Sequence, residues 1–137
     1  MTQRDTLEKF NFGKLNASAV ACFESSYAAG WWDIPEDREE FLTWDSFRDE
    51  TTPTKIALIH SEVSEAMEAF RKNADDDHLP HRKGFEVELA DAIIRIFDLA
   101  GAHNLDLQGA IQEKMAYNAQ RADHKLENRA AEGGKKF

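Results

Sequence analysis

The stretch Phe85-Glu-Val-Glu-Leu-Ala-Asp-Ala-Ile-Ile-Arg-Ile-Phe-Asp-Leu-Ala100 decides the fold. At about 100° per residue its apolar members, Val87 through Ala100, spread around most of a helical wheel. That is the pattern of a helix buried on nearly all sides. Glu88, Asp91, Arg95 and Asp98 instead share one sector roughly 80° wide. A narrow acidic stripe therefore runs down an otherwise dry helix. Carboxylates in such a place are costly unless cations or hydrogen bonds compensate them. Arg95 offsets one of the three, not all.

The preceding segment repeats the theme. Ile56, Ile59, Val63, Met67 and Phe70 recur at helical spacing and form one apolar stripe. Glu62 and Glu65 lie together on the far side, near Leu58, three residues apart, so their carboxylates can converge. Glu88 and Asp91 have the same spacing. Two antiparallel helices joined by the polar stretch 73–84 bring the two acid pairs face to face. Four carboxylates without His or Cys suit a hard cation, Mg²⁺ or Mn²⁺, and not Zn²⁺. A di-iron bundle normally adds Glu-x-x-His motifs, and none occurs here. A single Glu-x-x-Glu is most often a solvated helix face; two pairs on consecutive helices, one set in an apolar helix, argue against that reading.

Working outward, strand signals are weak and the chain reads as all-α, with a four-helix-bundle-like protomer. A first helix is expected over about 15–29, stopped by Gly30, and a short one near 36–47. The second main helix is expected to start after Pro53, capped by Thr52 or Thr54, and to reach Lys72. The third spans about 85–103. The fourth follows Asp106 as N-cap and reaches about Lys125. Residues 1–13 read as an N-terminal arm and 127–137 as a C-terminal tail of a single domain. On the fourth helix Lys114, Asn118, Arg121 and Lys125 share one face, with cations suited to phosphate oxygens that a metal does not reach; the bland alternative is a solvated C-terminal half.

Composition narrows the partners. The 137 residues are 42% hydrophobic and 31% charged, a size suited to one domain with a small core. With 17 Lys plus Arg against 26 Asp plus Glu, the net charge is −9, which disfavours nucleic-acid polymers and anionic lipid. The longest stretch free of charged residues, Leu15 to Phe23, is too short to cross a membrane. One cysteine, Cys22, leaves no intrachain disulfide, and a reduced, cytoplasmic setting is the default expectation.

Two blocks carry a family resemblance: Lys55-Ile-Ala-Leu-Ile-His-Ser-Glu-Val-Ser-Glu-Ala-Met-Glu-Ala-Phe-Arg71 and Glu86-Val-Glu-Leu-Ala-Asp-Ala-Ile-Ile-Arg-Ile96. Together they resemble the MazG-like all-α nucleoside triphosphate pyrophosphohydrolases, whose signature is Glu-x-x-Glu, a spacer, then Glu-x-x-Asp. Here it reads Glu62, Glu65, Glu88 and Asp91. The run Glu113-Lys-Met-Ala-Tyr-Asn-Ala-Gln-Arg121 is similar to that family's C-terminal helix. Gly30-Trp-Trp-Asp33 and Gly134-Lys-Lys-Phe137 look like its small phage- and cassette-type members. The stretch after Arg121 is less basic than that pattern.

The resemblance implies a dimer or dimer of dimers that hydrolyses a (deoxy)nucleoside triphosphate to the monophosphate and pyrophosphate. It implies Mg²⁺ held by Glu62, Glu65, Glu88 and Asp91, and a carboxylate that takes the water's proton, Glu62 first and Glu65 second. Lys114 and Arg121 would face the leaving pyrophosphate, and Asn118 the sugar or base. Trp31 or Trp32 would stack on the nucleobase, although one of two adjacent tryptophans is readily a core residue. His60 reads as packing or interface, Asp98 as a partner of Arg95 or Lys114, and Asp75-Asp76-Asp77-His78 as a solvated loop. The competing function is a non-catalytic helical interaction module, against which the complete acid quartet speaks.

Overall fold

In the computed structural model, which describes residues 13–121, 123 and 125–134, every regular element is a helix. They are α1 (Leu15–Ala28), α2 (Trp44–Lys72), α3 (Gly84–Ala102), α4 (Leu107–Gln120) and α5 (Leu126–Ala130). The expected all-α class is the observed one. The helices divide between two compact units, one built on residues 16–105 and one that contains α4 and α5. The expected N-terminal arm lies, apart from Gly13, outside the described residues, as do the last three residues of the tail.

The axis of the larger unit is the α2–α3 hairpin. Lys55 meets Asp98, Glu62 meets Arg95, and Phe70 meets Phe85, so the partners run in opposite order and the helices are antiparallel. The connection turns where Asn73 adopts φ 49°, with its N–H on the Ala69 and Phe70 carbonyls. Asp75 then pairs with Lys83 at 2.7 Å, and Asp76 Oδ1 accepts from the His78 and Leu79 amides. The acidic run of this loop is thus spent partly on shaping the turn.

Helix α2 starts at Trp44, well before the position expected from Pro53. Thr43 is the N-cap and its Oγ1 accepts from the Ser46 amide at 3.2 Å. Pro53 lies inside the helix, where it lacks one backbone donor. Thr51 Oγ1 donates to the Phe47 and Arg48 carbonyls and Thr52 Oγ1 to Arg48, which places side-chain donors in the same turn. The residues around 36–41, expected as a short helix, form turns instead.

At the open end of the hairpin, Trp32, Phe47 and Ala102 form the buried core, packed by Phe23, Ile34, Leu42, Trp44 and Leu99. Trp32 and Trp44 meet edge to face with centroids 5.5 Å apart, and Phe23 meets Trp32 likewise at 5.9 Å. Helix α1 reaches α3 at Gly101. A Cβ there would fall 2.6 Å from both the Ala19 carbonyl oxygen and Phe23 Cβ, so only glycine admits the contact. Gly30, at φ 82°, ends the α1 segment as the sequence indicates.

One expectation for α3 is corrected. Its buried residues are Gly84, Ala92, Asp98, Ala100 and Ala102, whereas Leu89, Ile93, Ile94 and Ile96 are exposed. On α2, Val63, Met67 and Phe70 are exposed too. Two large aliphatic faces are therefore exposed among the described residues. Periodicity reports which faces are apolar; it does not report whether one chain has enough partners to cover them.

Candidate functional site

Hairpin pairing brings the acids together. Glu62, Glu65 and Glu88 each offer a carboxylate oxygen, and these lie within 4.8 Å of one another. Glu62 is buried at 7% exposure, Glu88 is half-buried and Glu65 is exposed, so the cluster opens from the helix interface to solvent. Asp91 is not in that triad; it stands one turn further along α3 and lines a cleft together with Glu62. The expected four-carboxylate set is thus a close triad with Asp91 beside it.

The electrostatics of the cluster are those of crowded anions. Burial raises the Glu88 carboxyl above the ordinary range, and the Glu65 and Glu62 carboxylates add to the shift. Asp91 is raised by burial and then by Glu62, with Arg95 opposing. Asp76 in the hairpin loop raises it further. Arg95 relieves part of this: its Nε donates to Glu62 Oε1 at 2.5 Å. An all-oxygen, strongly anionic donor set fits a hard divalent cation and offers nothing to a soft one.

The cleft has a volume of about 780 Å³ and lies between α1, α2 and α3. Its acidic wall holds Glu62, Asp91 and Asp98, and its cations are Lys55 and Arg95. Cys22, Ser25 and Ser26 of α1 face them, and Trp31 stands at the edge with 73% exposure. The Cys22 thiol is pushed up by burial and by the Asp98 charge, which keeps it a neutral lining group.

The two tryptophans separate sharply. Trp31 is exposed on the cleft and Trp32 is 1% exposed in the core. Trp32 Nε1 donates to Asp98 Oδ1 at 2.8 Å, and the Lys55 ammonium sits 4.0 Å from its ring centroid. Stacking of a base on Trp32 is therefore corrected: both its edge and a face are occupied by the protein. Asp98, expected to pair with Arg95 or Lys114, pairs instead with Trp32 and Lys55. His60 is exposed on α2.

Lys114 and Asn118 belong to α4, where Lys114 Nζ lies 4.9 Å from the Tyr117 ring centroid. The shared basic face is corrected beyond them. The helix ends at Gln120, and Arg121 follows as C-cap in extended backbone, so Arg121 and Lys125 do not continue its stripe. Arg121 pairs with Asp123 at 2.6 Å. The sequence carries an acid within reach of that arginine, and helical spacing alone does not register it.

Sequence reasoning missed Lys55 as a cleft residue. The signal was present: Lys55 and Glu62 are seven apart on one face of α2, as Asp91 and Asp98 are on α3. Antiparallel pairing converts the two spacings into a ladder of charges. No protein-family model, no curated protein and no solved structure matches the chain.

Proposed function

We propose that this chain is a Mg²⁺-dependent nucleoside triphosphate pyrophosphohydrolase that releases the monophosphate and pyrophosphate and serves nucleotide-pool housekeeping. The observation that carries the reading is the convergence of the Glu62, Glu65 and Glu88 carboxylates, with Glu62 also lining a cleft that carries the exposed Trp31 indole. The resemblance of the two helical blocks to MazG-like enzymes, which includes these same acids, supports it.

In this reading Glu62, Glu65, Glu88 and Asp91 hold Mg²⁺, with Mn²⁺ as a substitute. When bound, the metal supplies Lewis acidity at phosphoryl oxygens and an acidified water. Glu62 accepts the proton of the attacking water, with Glu65 as the second candidate. Arg95 orients Glu62 through its Nε–H. Trp31 provides an aromatic face for a nucleobase, and its exposure leaves that face accessible.

A homodimer or homotetramer in the cytoplasm belongs to the same proposal. Among the described residues no helix is long and apolar enough to cross a membrane. The exposed Val63, Met67 and Phe70 of α2 and Leu89 and Ile93 of α3 are what a second copy would cover. The same apolar faces favour the second reading, a non-catalytic interaction module, against which the converging acids speak.

The test is pyrophosphate release from a panel of dNTPs and NTPs with Mg²⁺, run beside Glu62→Gln. Cleavage by the parent and not by the variant is expected. Mg²⁺ binding without cleavage of any nucleotide would sink the enzymatic reading and leave the module.

A further inference from the structure

We infer that Lys55, held in place by Asp98 and Trp32, is an anion anchor of the cleft and contacts the phosphate chain of the substrate. The inference takes the phosphate from the function proposed above. The residue itself follows from its surroundings.

Lys55 is a mostly covered lysine whose neighbours place it without saturating it. Its Nζ donates to the Trp31 carbonyl at 3.3 Å and lies over the Trp32 ring. Asp98 Oδ2 is 3.8 Å away, an ion pair too long for a direct hydrogen bond, because Asp98 is pinned through Oδ1 to the Trp32 indole. An ammonium has three donors.

The second observation is the neighbour. Arg95 lines the same cleft; burial lowers the Lys55 pKa most, Asp98 opposes that shift, and the Arg95 charge adds to it. Two cations on one wall of a partly desolvated cleft repel unless an anion joins them. The carboxylates Glu62 and Asp98 moderate that repulsion in the free protein. Glu62, the partner of Arg95, is also a proposed metal ligand, so a bound metal would leave Arg95 for an anion, while Lys55, 3.8 Å from Asp98, keeps donors for the same anion. The rim position of Trp31, whose own carbonyl accepts a hydrogen bond from Lys55, would set the anchor beside the base.

The experiment uses inorganic tripolyphosphate with Mg²⁺, which has phosphates and no base. Its affinity for the full chain is measured by calorimetry for wild type, Lys55→Met and Lys55→Arg, with Mn²⁺ affinity measured in parallel. Lys55→Met keeps the apolar stem over Trp32 and removes the charge. The expected result is a loss of tripolyphosphate affinity of about tenfold or more in Lys55→Met, near-normal affinity in Lys55→Arg, and unchanged Mn²⁺ affinity. Equal tripolyphosphate affinity in Lys55→Met and wild type would overturn the anchor, as would no binding to wild type at millimolar concentration. Should Lys55→Met fold poorly, Asp98→Asn keeps an acceptor for Trp32 and removes the negative charge that faces the ammonium. Tripolyphosphate affinity is expected to rise by about threefold or more at low salt, and an unchanged or lower affinity would then overturn the proposal. Tripolyphosphate bound through Lys55 with no nucleotide cleaved refutes the proposed function and leaves the anchor standing. Nucleotides cleaved with an unaltered KM in Lys55→Met refute the anchor alone.

Discussion

Arg95 of α3 donates its Nε–H to Glu62 Oε1 of α2, the buried acid of the triad, from a position that is itself partly open to solvent. The pair crosses the helix interface at the level where the acids converge. It couples the stability of the hairpin to the order of the candidate metal centre. Replacing Arg95 with Ala leaves Glu62 buried among like charges. A loss of about 1–3 kcal/mol is expected, discounted for the exposure of the arginine. Chemical denaturation with and without Mg²⁺ checks it, and the deficit should shrink when the metal is present.

Glu62→Gln removes a ligand charge and the favoured proton acceptor together, and keeps a group that can accept from Arg95. Activity should fall by roughly a hundredfold or more, with Mn²⁺ affinity reduced. Glu65→Gln separates the roles. If Glu65 is a ligand only, excess metal should restore part of its rate, and steady-state kinetics across a Mg²⁺ titration show which variant is rescued.

The raised Glu88 and Asp91 carboxyls make the metal-free protein sensitive to pH. Between the ordinary carboxylate range and their raised values, the folded chain holds protons that the unfolded chain has lost. Stability contributed by this site therefore falls as pH rises through that window. Glu50 and Glu68, lowered by Arg38 and by Arg71 and Lys72, act in the opposite direction, so the comparison is made against Glu88→Gln. Thermal midpoints from about pH 4 to about pH 7 should decline relative to Glu88→Gln, and Mg²⁺ should reverse the decline near neutrality.

The adjacent tryptophans should give opposite phenotypes. Trp31→Ala is expected to leave the melting temperature nearly unchanged and to weaken nucleotide binding by about 1–3 kcal/mol. Trp32→Ala removes a fully buried large side chain and its bond to Asp98, with an expected cost of about 3–5 kcal/mol in stability. Calorimetric melting and nucleotide KM, measured on both, separate the two roles.

The apolar faces of the hairpin should govern self-association. Met67→Glu, at a position 65% exposed in the chain, is expected to shift the mass measured by light scattering toward the monomer while leaving helix content unchanged. A monomeric wild type would remove the homo-oligomer from the proposal.

The helical class, the acid pairs and the polar loop that lets them meet were legible in the sequence, because period and spacing are local properties of a chain. The start of α2 was not. Pro53 looked like a first turn, and only the Thr43 cap and the hydroxyls of Thr51 and Thr52 reveal a helix that runs through it. The end of α4 was missed for a similar reason: Arg121 has helical spacing from Lys114, but it caps the helix and pairs with Asp123. What only the tertiary structure decided is which of two adjacent tryptophans is core, and that Lys55 belongs with Asp98, forty-three residues away. Such partners are set by antiparallel packing, in which residues distant in the chain compete for the same buried charge, and spacing along one helix carries no record of that competition.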